Sequence, residues 1–423
     1  MLGDTDIMKI GIIGAGISGL GAAYLLSPDH DITVFEKNDY IGGHSRTIVV
    51  KPNEKATPGD TGFIVFNDWN YPNLFGLFKA LDVPYIKSDM SFGVSIKKGW
   101  LEYSSNGLFA QTRNVFRPAY WKMLADIIRF NKQAPAYIEK DSSVSLGQCL
   151  DDLNMGEWFR QYYLLAMGAA IWSCPLDTIM KFPAKTFLRF FKNHGLLNIV
   201  KRPQWYTVQG GSCEYVKRLT ASVDGEIHKS CPAKRVFIEA DNKITVIAED
   251  GSKNIFDHVI FACHADEALA LIDEPTQHEV EVLGNFKYQD NEIVVHTDES
   301  FMPVNRKCWA SWIYLSEAEK DTSPVVSLSY WMNNLQSLEV KEQVLVTLNP
   351  GRKPDETKIL DTHMFSHPIF DKGAIDAQQR IDLIQGARGL WFCGAYQRYG
   401  FHEDGLLSAV NVAKSMGARI PWE

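Results

Sequence analysis

Six residues near the start of the chain, Gly14-Ala15-Gly16-Ile17-Ser18-Gly19, have the types and spacing needed to hold a pyrophosphate. Gly14 permits a tight turn, Gly16 leaves bare backbone for the phosphates, and Gly19 lets the following helix lie close to its strands. The start of that helix offers unpaired N–H groups and a partial positive charge to the anion. Glu36 stands 17 positions after Gly19 (36 − 19), at the end of the next β-like run. Its carboxylate can accept hydrogen bonds from both hydroxyls of a ribose and repels a 2′-phosphate. A second glycine turn, Gly42-Gly43-His44-Ser45-Arg46-Thr47, directs more N–H groups and a guanidinium toward the same phosphates. Glu36 argues against NADP, and an isolated Rossmann unit for NAD does not need the second turn, so FAD is the better fit. No other Gly-x-Gly-x-x-Gly follows a strand, so no separate NAD(P)H domain is expected.

A second concentration of chemistry lies in residues 389–414, which read as a strand ending in Cys393, Gly394 and Ala395, an aromatic loop, and a helix opened by Gly405-Leu406. A helix N-terminus aimed at the pyrimidine edge of a flavin stabilises the negative charge of the reduced ring. His402, Glu403 and Asp404 immediately precede it. His402 is a candidate proton shuttle, because an unperturbed imidazole titrates near ~6.5. Glu403 or Asp404 can instead cap the helix. Three adjacent side chains cannot all face one ion, so no metal site is expected. Tyr396 and Tyr330 are the other catalytic candidates, whereas His264 and His296 read as structural.

The elements that must position these residues follow from periodicity. Residues 8–13, 17–27 and 31–36 form strand, helix and strand, and 51–60 reads as a loop. The chain is aromatic and irregular through 61–110, then helical across roughly 118–139 and 156–196. Alternating β patterns return at 233–238, 244–248, 257–262, 291–296, 325–330 and 389–393, before an amphipathic helix from about 405. The chain thus returns several times to one β-rich region, which implies interleaved domains. A formal charge of −8 over 423 residues, with no Lys/Arg block, argues against nucleic acid as a partner. Seven scattered cysteines without a Cys-x-x-Cys pair read as reduced thiols. The start of the chain, with Asp4 and Asp6, lacks a signal-peptide layout, and no apolar run reaches the ~18 residues of a membrane span. A cytoplasmic protein is expected, with peripheral contact to the inner membrane left open through the basic, aromatic stretches 115–132 and 187–202.

With these motifs in hand, the sequence resembles the flavin-containing amine oxidase superfamily, and more narrowly the bacterial amine-oxidase-like proteins related to the flavoprotein region of plant cyclopropane fatty-acid synthases. The stretches that carry the resemblance are GGHSRT (42–47), DTGFIVFNDWNYPNL (60–74), DMSFGVSI (89–96), AAIWSCP (169–175), WASW (309–312), YWMNNLQ (330–336), VTLNP (346–350) and FCGAYQRYGFHEDGL (392–406). The resemblance implies an α/β architecture, with a Rossmann-type FAD-binding domain (1–70, 203–275, 383–423) interleaved with an α+β substrate domain (71–202, 276–382). It also implies that Gly14, Gly16, Ile17, Ser18 and Gly19 meet the diphosphate, and that Glu36, flanked by Lys37, meets the ribose. Gly43, His44, Ser45 and Arg46 would meet the phosphates and ring edge, and Val236 the adenine through its backbone. Gly62 and Phe63 would lie near the isoalloxazine, with Gly394, Gly405 and Leu406 closing the pyrimidine end. The flavin-linking cysteine of monoamine oxidases has no counterpart, since Cys393 falls in the strand, so non-covalent FAD is expected.

Three functional readings follow. The first is an FAD-dependent oxidoreductase that removes a hydride from an apolar substrate, such as a phospholipid-bound fatty acyl chain. The second is an amine oxidase releasing hydrogen peroxide and aldehyde. The third is a non-catalytic flavin-binding accessory to a lipid methyltransferase. Substrate, electron acceptor and oligomeric state are not encoded legibly.

Overall fold

A computed structural model of the chain describes residues 7–50, 57–139, 144–172, 179–198, 202–317 and 326–423. The motif AAIWSCP therefore lies partly outside the described residues, with Cys174 and the Trp172 side chain, as do Asp4, Asp6 and most of the 51–60 loop.

The Gly-rich turn sits on a five-stranded parallel sheet, ordered Gly225–His228, Asp31–Phe35, Lys9–Ile13, His258–Phe261 and Leu390–Phe392. Its strands come from three distant parts of the chain, as the returning β patterns imply. The central strands are apolar runs because helices or a small antiparallel sheet cover both faces. That small sheet joins Ala233–Ile238, Ile244–Ala248 and Lys253–Phe256.

The helix Ile17–Leu26 is buried almost all round, and its small residues allow the C-terminal helix to cross it closely. A methyl group built on Gly21 would come within 2.7 Å of Leu406 Cδ1, and one on Gly405 within 2.9 Å of Ser18 Oγ. The N-terminal ends of the first and last helices thus meet.

A second, seven-stranded sheet runs Ile359–Ile369, Lys287–His296, Leu345–Leu348, Val326–Trp331, Trp312–Ser316, Phe92–Ile96 and Leu101–Ser104. All its neighbours are antiparallel except Trp312–Ser316 with Phe92–Ile96. A helical layer, including Pro118–Gln133, Leu165–Trp172 and Ala184–Asn193, packs on its far edge around Tyr120, Phe159, Phe187 and Phe191.

Several expected boundaries move. The region read as irregular contains the strands Phe92–Ile96 and Leu101–Ser104, and the helical stretches expected across roughly 156–196 include, among the described residues, one with a π-helical turn at Arg160–Leu164. The last helix begins at His402, not near Gly405, because the Asp404 carboxylate accepts the N–H of Phe401 (3.0 Å) and caps the helix three residues earlier. Cys393 lies one residue beyond its strand, though its N–H still bonds Phe261 O at 2.9 Å.

Candidate flavin site

Gly14 adopts φ +106°, where a side chain would be strained, and a Cβ there would press on Ala262 O at 2.8 Å. Gly16 differs: the nearest atom to a built Cβ is Gly43 Cα, at 4.0 Å. This leaves open backbone facing the second turn, where Gly43 has φ +58°. Gly16 is the N-cap of the first helix and brings no side-chain cap, and the first turn carries no acid, so the N–H groups of Ile17, Ser18 and Gly19 have no helical partners. With the start of the last helix beside Ser18, two helix N-termini converge on one space. That donor set suits a diphosphate.

Glu36 is buried at the end of Asp31–Phe35. Its Oε2 accepts the Ala15 N–H at 2.8 Å, and its Oε1 accepts the N–H and Nδ2 of Asn38, each at 2.8 Å. The carboxylate therefore ties the strand end to the glycine turn. Neighbouring Lys37 is more exposed and pairs with Glu267.

The second turn is built into the junction between the two sheets. Arg46 forks onto Asp361, with Nη1 to Oδ2 at 2.6 Å and Nη2 to Oδ1 at 3.3 Å, so it anchors this loop to the long edge strand Ile359–Ile369. Its phosphate-facing role was expected to be the main one; the pairing takes part of the guanidinium and leaves other N–H donors for a ligand. His44 stacks on Phe365 with centroids 4.6 Å apart and lies near His264 and His367; burial holds its basicity well below the ordinary value. Four histidines gather here with His363, but among the described residues no group could hold a metal ion.

The last helix supplies the centre of the site. The His402 ring lies flat on Phe63, with centroids 3.8 Å apart and planes 11° apart. Its Nε2 is 2.7 Å from the Tyr215 hydroxyl and 3.4 Å from Ser45 Oγ, and the Ser45 and Tyr215 hydroxyls also touch. Burial with no carboxylate partner lowers the imidazole to about 3. His402 is therefore neutral at physiological pH.

The other two members of the triplet turn away. Glu403 Oε1 accepts the N–H (3.0 Å) and Nδ2 (2.8 Å) of Asn73, and Oε2 accepts the N–H of Leu74 (2.9 Å), so it caps the helix Pro72–Ala80. Burial raises Glu403 to about 7 and Asp404 to about 6.

The catalytic candidates do not come together. Tyr396 packs on Phe286 (4.7 Å) in the core behind the parallel sheet, and Tyr330 packs edge-on to Trp312 (4.7 Å) on the seven-stranded sheet. Val236 is buried on an edge strand, with its carbonyl accepting the Asp273 N–H at 2.8 Å. Gly394 donates its N–H to Ser408 Oγ at 2.8 Å, and Gly62 sits against the His44 carbonyl and the Phe365 ring. Leu406 is buried against Gly21.

Sequence reasoning missed Asp60, Tyr215 and Asp361. Asp60 is buried and accepts from Thr47 Oγ1, the Ser212 N–H (2.9 Å) and Oγ (2.8 Å), and Gln336 Nε2 (2.6 Å). It fastens the second turn to Ser212 and Gln336, both far away in the chain. An acid before Thr61-Gly62 in an otherwise apolar stretch was the available signal; nothing local marks Tyr215 or Asp361.

The glycine turn matches the model of the NAD(P)-binding Rossmann-like domain over residues 12–81. An uncharacterised protein of Methanocaldococcus jannaschii, MJ1488, is 26% identical over 239 residues, covering 55% of this chain. The match spans about half (54%) of that relative's length. A conjugated-linoleic-acid-producing fatty acid isomerase from P. acnes superposes with TM-score 0.69 at 15% identity, covering 96% of this chain and 98% of that one. Cyclohexylamine oxidase from Brevibacterium oxydans IH-35A superposes with TM-score 0.69 at 14% identity, covering 97% and 100%. The chain shares its two-part α/β fold with these solved structures, an isomerase and an amine oxidase among them.

Proposed function

We propose that this chain is an FAD-dependent oxidoreductase that removes a hydride from an apolar substrate, with a fatty acyl chain, free or phospholipid-bound, as the substrate class. Bound FAD supplies the ring that accepts the hydride; the protein need only hold a C–H bond against it in a dry chamber. Gly14, Gly16, Ile17, Ser18 and Gly19 would hold the diphosphate, Glu36 the ribose, and Gly43, Ser45 and the spare N–H groups of Arg46 the phosphates and ring edge. The unpaired N–H groups at the start of the last helix, those of His402 and Glu403, would stabilise negative charge on the ring. Neutral His402, fixed by Phe63 and Tyr215, positions rather than titrates. Cys393 is fully buried and its thiol is pushed up to about 12, which supports non-covalent binding.

One observation carries the choice of substrate. Ile64 and Val65, next to Phe63 in the chain, pack with Phe92, Trp312, Tyr330 and Phe365 in one apolar cluster. The carboxylates nearest to it are already engaged: Asp60 by Thr47, Ser212 and Gln336, Asp361 by Arg46, and Asp89 by Ser91, Ser311 and Asn334. Among the described residues these three carboxylates are held by partners of their own, whereas an acyl chain needs only apolar surface.

Fatty acid profiles of cells with and without the gene, together with anaerobic mixing of the purified yellow protein with acyl chains and amines, test this reading. Altered acyl chains and bleaching by lipid support it. Unchanged lipids with peroxide release from amines would overturn it in favour of an amine oxidase, and a flavin that never cycles would leave only the accessory role.

A further inference from the structure

The segment from Lys97 to Ala125 has a composition unlike the rest of this acidic chain. It carries five cations, Lys97, Lys98, Arg113, Arg117 and Lys122, and a single acid, Glu102. Glu102 is buried, with Oε1 accepting from Ser95 Oγ and the Val304 N–H (2.8 Å each) and Oε2 from the Asn305 N–H (3.0 Å). Its charge is spent inside the fold, so within this segment the exposed charges are all basic.

The same surface exposes large apolar side chains. Phe116 is 85% exposed, Val304 75%, Trp121 50% and Val115 43%. Side-chain contacts make the patch continuous: Trp121 Nε1 donates to Val115 O (2.9 Å), Trp121 packs on Phe109 (5.0 Å), and Val304 lies against Gly99 in the Lys97–Trp100 turn. Arg113 reaches the carbonyls of Gly99 and Trp100, and the Arg117 guanidinium sits over the Trp100 ring at 4.9 Å. The helix Pro118–Gln133 buries Tyr120, Met123 and Phe130 on one side, so Trp121 and Lys122 are not needed for its packing. The other basic stretch differs, because in Ala184–Asn193 the rings of Phe187, Phe190 and Phe191 all turn inward.

Exposed aromatic and aliphatic residues ringed by Lys and Arg fit a bilayer interface, where the rings enter the headgroup layer and the cations meet anionic lipid. We propose that the surface formed by the Lys97–Trp100 turn, residues 108–122 and Val304 docks this protein on an anionic phospholipid membrane. Of the nearest acids, Glu299 pairs with Arg306, and Glu157 keeps its charge at the margin beside Trp158, one acid against the five cations. The core beneath the patch is the helical layer, whose margin includes Tyr399 and Phe401, next to His402. A membrane-bound acyl substrate would thus enter from the docked side, a consequence that rests on the reading of the flavin site above.

Co-sedimentation of the full flavin-loaded chain with vesicles of phosphatidylglycerol and phosphatidylcholine, against phosphatidylcholine alone, tests the proposal. The chain is expected to bind the anionic vesicles preferentially and to lose binding as salt rises. Lys97→Gln, Lys98→Gln and Arg113→Gln together should lower partitioning about a hundredfold, at about fivefold per charge. Phe116→Ser should lower it about tenfold or more without changing the melting temperature. Absence of binding to anionic vesicles, or binding that these variants leave intact, overturns the proposal. So does a solution dimer that Phe116→Ser dissociates, which would assign the patch to a second copy. A protein that reduces its flavin with substrate yet ignores vesicles refutes only the docking surface, and vesicle binding without redox activity refutes only the oxidoreductase reading.

Discussion

Glu403→Gln sets two physical effects against each other. The Glu403 carboxylate accepts three hydrogen bonds at the N-terminus of Pro72–Ala80, which favours its charge, while burial disfavours it. Burial wins, raising the group from 4.5 to about 7. The folded chain then holds this proton more tightly than the unfolded chain does. Its contribution to stability is complete below the unfolded value of 4.5 and is lost as pH rises through about 7. Two and a half pH units at ~1.4 kcal/mol each make that contribution about 3 kcal/mol. Glutamine has no proton to lose, but it replaces one acceptor with a donor facing a buried N–H, at a cost of about 1–3 kcal/mol. The variant should therefore be the less stable protein near pH 5, with the gap closing or reversing near pH 8. Asp404 and His402 titrate in both proteins and largely drop out of the difference. Urea unfolding followed by tryptophan fluorescence at several pH values measures it. A gap that widens as pH rises would show that the helix end keeps Glu403 ionised, and would refute the reasoning.

Other perturbations separate the roles of neighbouring residues. Gly16→Ala, whose methyl meets nothing nearer than 4.0 Å, should leave the melting temperature of the flavin-free protein intact and weaken flavin binding about tenfold or more, as titration would show. Gly14→Ala, at φ +106° against Ala262 O, should instead cost about 1–3 kcal/mol of stability by calorimetry. His402→Gln should leave the pH profile of turnover between about pH 5 and 8 unchanged, since the imidazole titrates at about 3; loss of an inflection near neutrality would restore its role as a proton shuttle. Asp361→Asn weakens the fork to Arg46 and should cost about 1–2 kcal/mol, with looser flavin binding in the same titration. Acid precipitation should release the flavin from the wild type and from Cys393→Ser alike.

The glycine turn, Glu36 and the parallel sheet were legible because local steric rules fix them: a glycine that must take positive φ, a helix that must approach a strand, and apolar runs buried on two faces. The long edge strand Ile359–Ile369 was not, since its polar residues and Pro368 hide any alternation, and Phe92–Ile96 was hidden because Gly93 and Ser95 sit where packing is tight. The His402-Glu403-Asp404 triplet shows the same limit within the site. Sequence could place it at the start of the last helix, but not divide its labour. That division depends on partners far away in the chain: Tyr215 for His402 and Asn73 for Glu403. Only Asp404, which caps its own helix, acts locally.

The central claim is that non-covalent FAD at the meeting of two helix ends takes a hydride from an acyl chain. Anaerobic stopped-flow spectroscopy of the purified protein measures this directly, by following the flavin's visible absorbance after mixing with fatty acid, phospholipid or primary amines. Bleaching by an acyl substrate and none by amines is the expected result. Bleaching by amines alone, or a purified protein that binds no flavin, would contradict it.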